Sequence, residues 1–122
     1  MTFAGGAVPA WERVGELLTR AGFPVQVRMI DGQLAFPDEQ PPASWAELRV
    51  GTPRGMGTAR REPERVRLVT WGNADAAMLQ AWNALTWAFA AAGGGLVEAP
   101  EGPQSADDFR RQADLPSALR GG

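Results

Sequence analysis

The pair Asp31-Gly32, set inside the run VQVRMIDGQLAF, places the tightest constraint on what this chain can fold into. Aspartate followed by glycine accepts the left-handed backbone that a two-residue type I′ turn needs at both central positions. On either side apolar and polar residues alternate, as in strands that bury one face. A two-residue turn sets Ile30 opposite Gln33, Met29 opposite Leu34 and Val27 opposite Phe36. In that register Val25, Val27, Met29, Leu34 and Phe36 share one face, which is expected to be the buried one. The seed of the fold is therefore an antiparallel hairpin with an apolar face to cover.

The chain extends this seed on both sides. Upstream, VPAWERVGELLTRAGFP has Trp11, Val14, Leu17, Leu18 and Ala21 at helical spacing, with Glu12, Arg13, Glu16 and Arg20 opposite. Pro9 suits an early helical position, and Gly22 with Pro24 supplies the stop. Downstream, a proline-rich loop from Pro37 to Ser44 leads into AELRV, with Leu48 and Val50 facing inward. GTPRG turns the chain, MGTARR forms a weaker strand, EPE turns it again, and RVRLVTW closes a meander of about five antiparallel strands.

Next comes a long helix within TWGNADAAMLQAWNALTWAFAAAGGG, capped by Asn73 and ended by the three glycines. At about 100° per residue, Met78, Trp82, Leu85 and Phe89 form one bulky stripe. Beside it Ala74, Ala77, Ala81, Ala84 and Ala88 form a ridge of small side chains, and Gly15 on the first helix suits close approach to it. Polar residues, including an aspartate, share one face, so the segment does not read as a membrane span. LVEA reads as a short edge strand or an extended return, Ser105 with Asp108 starts a last short helix, and residues 113–122 are expected to form a flexible tail. The whole is one α+β domain over residues 1–122. It is a two-layer sandwich in which the N-terminal and long helices cover one face of an antiparallel sheet.

Composition closes much of chemistry to a chain acting alone. Among 122 residues there is no cysteine, histidine, tyrosine or lysine, and all twelve basic residues are arginine. Thiolate nucleophiles, Schiff bases, imidazole acid–base catalysis and the usual soft metal ligands are all excluded. No cofactor and no metal is expected. The net charge of −2 gives no general attraction to nucleic acid or to anionic lipid, so neither nucleic acid nor a membrane is the expected partner. No signal segment is legible at the N-terminus, which makes the cytoplasm the expected compartment. Arginine without lysine, with abundant alanine, glycine and proline, points to the coding bias of a GC-rich bacterial gene.

Four groups of residues remain as candidates for function. Trp87 falls between Asn83 and Gln80 on the polar side of the long helix. With Ala81, Ala84 and Ala88 these residues make a candidate protein interface, including one between two copies of the chain. Burial of Trp87 under the proline-rich loop or the C-terminal segment is the structural alternative. Arg28, Arg49, Arg67 and one of Arg60 and Arg61 make a candidate anion or nucleic-acid platform on the outer sheet face, unless Glu47, Glu62 and Glu64 pair with them. GTPRGMG superficially resembles a phosphate loop but precedes a strand and carries no lysine, so a β-turn accounts for it. Asp31, Asp38, Glu39 and Glu47 cluster only in sequence, and a carboxylate-dependent enzyme or a small-molecule binder is the weakest expectation. The leading expectation is a small non-enzymatic accessory, adaptor, immunity or chaperone-like domain that works by binding another protein or itself.

Overall fold

In the computed structural model, residues 2–4, 9–36, 39–42, 44–62, 65–69, 75–99, 102–116 and 119 are described. Asp38, Glu64, Trp71, Asn73 and Ala74, each singled out from the sequence, lie outside them. In chain order the elements are β1 (Thr2–Ala4), α1 (Trp11–Arg20), β2 (Gln26–Ile30), β3 (Gln33–Leu34), β4 (Glu47–Thr52) and β5 (Gly55–Glu62). There follow β6 (Arg65–Leu68), α2 (Ala76–Gly93), β7 (Leu96–Ala99), β8 (Gly102–Ser105) and α3 (Ala106–Gln112).

All eight strands join one antiparallel sheet in the order β3-β2-β4-β5-β6-β1-β7-β8. The five expected strands are β2 through β6, but they do not run as a simple meander: β4 pairs back with β2, which leaves β3 at the sheet edge. The N-terminal strand β1 slots between β6 and β7, pairing Thr2 with both Arg67 and Glu98. LVEA is therefore an interior strand rather than an edge, and its hairpin partner β8 takes the edge, where Pro103 withholds an N–H from further pairing.

The hairpin forms as its turn chemistry dictates. Asp31 has φ 50° and Gly32 φ 84°, and Ile30 pairs with Gln33 and Met29 with Leu34. The face assignment is different from the expected one. Between Val27 and Met29 the β2–β4 ladder carries a bulge: Val27 opposes Val50, Met29 opposes Arg49 and Ile30 opposes Leu48. The extra residue, Arg28, reverses the alternation. Val27 and Ile30 thus face the core, whereas Met29 and its partner Leu34 face outward beside Arg49.

Asp31 does more than permit the turn. Its N–H donates to the Glu47 carbonyl at 2.8 Å, while its Oδ1 accepts from the N–H groups of Ala46 and Glu47 at 2.7 and 2.8 Å. The carboxylate extends the β2–β4 ladder past the point where the backbone turns away, and it anchors the end of the proline-rich loop. Asp31→Ala loses both charge-assisted bonds and sets a β-carbon residue with no local hydrogen bond in the left-handed region. It is expected to cost about 2 kcal/mol in urea unfolding, with Asp31→Asn costing under half as much because its amide oxygen can still accept.

The helices cover one face of the sheet. α1 ends in a Schellman motif: Phe23 N–H donates to the Leu18 carbonyl at 2.9 Å and Gly22 N–H to Thr19, with Gly22 at φ 89°. Pro9 stands just outside the helix and Ala10 is its N-cap. α2 starts later than expected, with Asp75 as N-cap accepting from Met78 N–H at 2.8 Å. Its stripe meets β5 closely. A β-carbon on Gly57 would stand 2.5 Å from a Leu85 methyl, so any other residue there would force that buried side chain to shift. Trp82 Nε1 donates to the Met56 carbonyl at 3.2 Å. Phe89 then sits between the rings of Trp11 and Trp45, at centroid distances of 6.2 and 6.1 Å.

Every residue from Ala81 to Ala90 is buried, so α2 is a central helix enclosed on all sides rather than one with a solvated polar face. The C-terminal segment supplies the missing cover. Ser105 caps α3 by accepting from Asp108 N–H, Phe109 enters the core, and Leu115, Pro116 and Leu119 are buried. Residues 113–116 and 119 are packed structure, not a frayed tail. No helix among the described residues is long and apolar enough to cross a membrane.

Candidate functional site

The interface read on α2 is occupied by the chain itself. Trp87 is only 6% exposed, with the Arg110 guanidinium 5.8 Å from its ring centre. Asn83 Nδ2 donates to the Asp114 carbonyl at 2.9 Å, and Gln80 Nε2 donates to Asp114 Oδ1 at 3.1 Å. Gln80 Oε1 accepts from Arg54 Nε and Nη2 at 2.9 and 2.7 Å, tying the helix to the β4–β5 turn. Ala81, Ala84 and Ala88 are fully buried. The polar residues of this face are fastening points for the C-terminal segment, which is why the helical wheel mistook them for a solvated surface.

The sheet face opposite the helices is open, and the strand register orders its side chains into rows. One row runs Leu34, Met29, Arg49, Thr58 across β3, β2, β4 and β5. The next runs Glu47, Arg60, Arg67 across β4, β5 and β6 and continues through β1 to Glu98 on β7. The charges of the second row are matched. Arg60 Nε lies 2.8 Å from Glu47, Arg67 lies 3.8 Å from Glu62, and Arg65 lies 3.8 Å from Glu98. These pairs are exposed and contribute little to stability, yet they neutralise that half of the face.

The first row is unmatched. Arg49 and Arg28 have no carboxylate partner among the described residues. Arg28, the bulged residue, lies over Gly51, its Nε 3.0 Å from where a β-carbon there would stand. It borders an open groove of about 610 Å³ that also takes in Val25, Thr52 and Met56. At the other end of the row Leu34 is 84% exposed and Phe36 is 74% exposed, the two most exposed large apolar residues among those described. The outer face therefore divides into a neutralised half and a half where Arg28 and Arg49, unmatched among the described residues, share the surface with exposed apolar side chains.

Of the arginines read from the sequence, Arg28, Arg49, Arg60 and Arg67 lie on this face, while Arg61 does not. Arg61 opposes Val66, on the core side, and its guanidinium stacks 4.5 Å from the Trp45 ring centre. The remaining sequence candidates do not converge. GTPRGMG is a β-turn, with the Thr52 hydroxyl donating to the Gly55 carbonyl at 2.7 Å and accepting from Arg54 N–H. Glu39 accepts from Phe36 N–H, Asp31 holds the β4 entry and Glu47 pairs with Arg60. Among the described residues no three acidic side chains gather as metal ligands would.

The sequence reading missed Leu34, Phe36 and Met29 as surface residues. A signal was present in the adjacent apolar pair Met29-Ile30, of which one member must face outward in any strand. Comparisons with known protein families, characterised proteins and solved structures return no match to this chain.

Proposed function

We propose that this chain is a small non-enzymatic protein-binding domain whose docking surface is the outer sheet face around β3, β2 and β4. The observation that carries the reading is the exposure of Leu34 and Phe36 beside the unmatched Arg28 and Arg49. An exposed apolar group of this kind gains from burial only when another macromolecule covers it, and arginine with aromatic side chains is the composition that interfaces favour. The absence of histidine, cysteine, lysine and tyrosine from the sequence supports binding over catalysis.

Two competing occupants fit less well. A second copy docked through the same row would offer no carboxylate to Arg49, since the row holds only Leu34, Met29, Arg49 and Thr58. Nucleic acid needs a continuous cationic surface, and Glu47, Glu62 and Glu98 interrupt it at Arg60, Arg67 and Arg65.

The test is cross-linked capture from the native cell with nuclease present, comparing the parent with Leu34→Asp and Phe36→Asp. Both side chains are largely in solvent, so each variant is expected to keep its stability within about 0.5 kcal/mol. Capture of the protein partner is expected to fall at least tenfold. Undiminished capture by both variants contradicts the reading, as does capture that disappears with nuclease alone.

A further inference from the structure

Resting on the reading of this face as a protein-docking surface, we infer that its partner presents an acidic amphipathic helix, apolar at two positions on one face and carrying a carboxylate one further turn along. The spacing of the row sets the requirement. Leu34, Met29 and Arg49 stand on three adjacent strands, so Leu34 and Arg49 are two strand intervals apart, about 10 Å, with Met29 midway. Seven residues of helix rise about 10.5 Å and return to the same face, and three or four residues rise about 4.5–6 Å on that face. An extended partner lying along the row repeats its face every two residues, about 6.6 Å and then about 13 Å, and neither interval meets the row. A helix with apolar residues at i and i+3 or i+4 therefore covers Leu34 and Met29 while a glutamate at i+7 reaches Arg49.

The flanks agree with this occupant. Phe36 lies two residues beyond Leu34 and widens the apolar end, while Arg28, beside Arg49 over Gly51, meets a second carboxylate on the helix flank. Addition of a strand at the β3 edge is the other common way to engage a sheet, and the edge is closed to it. β3 is two residues long, and the outward N–H and carbonyl of Phe36 are already taken by Glu39, through its side chain and its N–H. Among the described residues of β3 and its continuation to Phe36, Leu34 is the one left with outward backbone groups to offer, too few for a ladder.

Fluorescence anisotropy with four probes tests the inference on the full chain. The first is an 18-residue lactam-bridged helix with leucine at i and i+3 and glutamate at i+7. In the second that glutamate is lysine, in the third a central proline prevents the helix, and the fourth is an oligothymidylate. The first probe is expected to bind at least tenfold more tightly than the second and third. Arg49→Glu, an exposed change, is expected to lose the first probe tenfold and to gain the second. Equal binding of the helical and proline-broken probes overturns the helix; equal binding of the glutamate and lysine probes overturns the acidic partner. No binding of the first probe up to about 1 mM overturns both, since even a weak specific site registers there. Binding of the oligothymidylate alone likewise overturns the acidic helix, whereas the docking surface itself stands or falls separately, on the Leu34→Asp and Phe36→Asp capture experiment.

Discussion

Replacement of Phe89 by alanine is expected to lower the free energy of unfolding by about 3–5 kcal/mol in urea titration at constant m. Phe89 is fully buried and is the point where three parts of the chain meet. Its ring lies between Trp11 of α1 and Trp45 at the end of the proline-rich loop, and α2 itself carries it onto the sheet. Neither indole can follow the lost ring. Trp11 is held over Gly15, where a β-carbon would stand 3.5 Å from its ring, and Trp45 is stacked under Arg61. The site therefore cannot collapse, and the cost falls at the upper end of the range for a deleted aromatic. Domains of this size are stable by about 5–15 kcal/mol, so the variant is expected to be partly unfolded at physiological temperature. A loss below about 1.5 kcal/mol would show that the three aromatic side chains do not form one packed unit.

The second large effect is at Trp87. A tryptophan on a solvated face would leave stability unchanged when truncated, but this one is covered by the C-terminal segment. Trp87→Ala is expected to cost about 3–4 kcal/mol. Trp87→Phe separates volume from polarity: Nε1 is buried without an acceptor among the described residues, so phenylalanine removes an unmet donor along with some volume. That variant is expected to lie within about 1 kcal/mol of the parent. Truncation after Ala113 removes the buried Leu115 and Leu119 together with the Asp114 contacts to Asn83 and Gln80 of α2, and is expected to destabilise by a comparable amount. If Trp87→Ala is neutral, the C-terminal segment does not cover the helix.

How much of this was legible follows from the range of each interaction. Asp31-Gly32 declares its turn because the backbone preference is local, and the register of two opposing pairs follows from it. The face of that hairpin was not legible. One bulged residue reverses the alternation, and whether Arg28 is bulged is decided by pairing with β4, nearly twenty residues away. β1 escaped notice because three residues carry no periodicity, and its place between β6 and β7 is entirely a matter of long-range pairing. The Trp87 error has the same origin. A helical wheel sees only the helix, and Asn83 and Gln80 read as solvated until Asp114 is brought onto them. Leu115 and Leu119, four apart, carried a helix-like apolar signal in the tail, but one pair of leucines next to Gly121 and Gly122 reads as easily as fraying. The arginine platform was half legible. Strand alternation puts Arg49 and one of Arg60 and Arg61 on the outer face without choosing between the pair, and cross-strand pairing decides which cations are neutralised.

On the proposed function, this chain engages its partner through the Leu34–Met29–Arg49 row and keeps the Trp87 face for its own core. Amide and indole chemical-shift mapping of the labelled chain, titrated with the glutamate-bearing helical peptide, addresses both halves at once. Saturable shifts are expected at Met29, Leu34, Phe36, Arg49 and Thr58, with the Trp87 indole unmoved. Shifts centred on Asn83, Trp87 and α3, or no shifts at all, would contradict it.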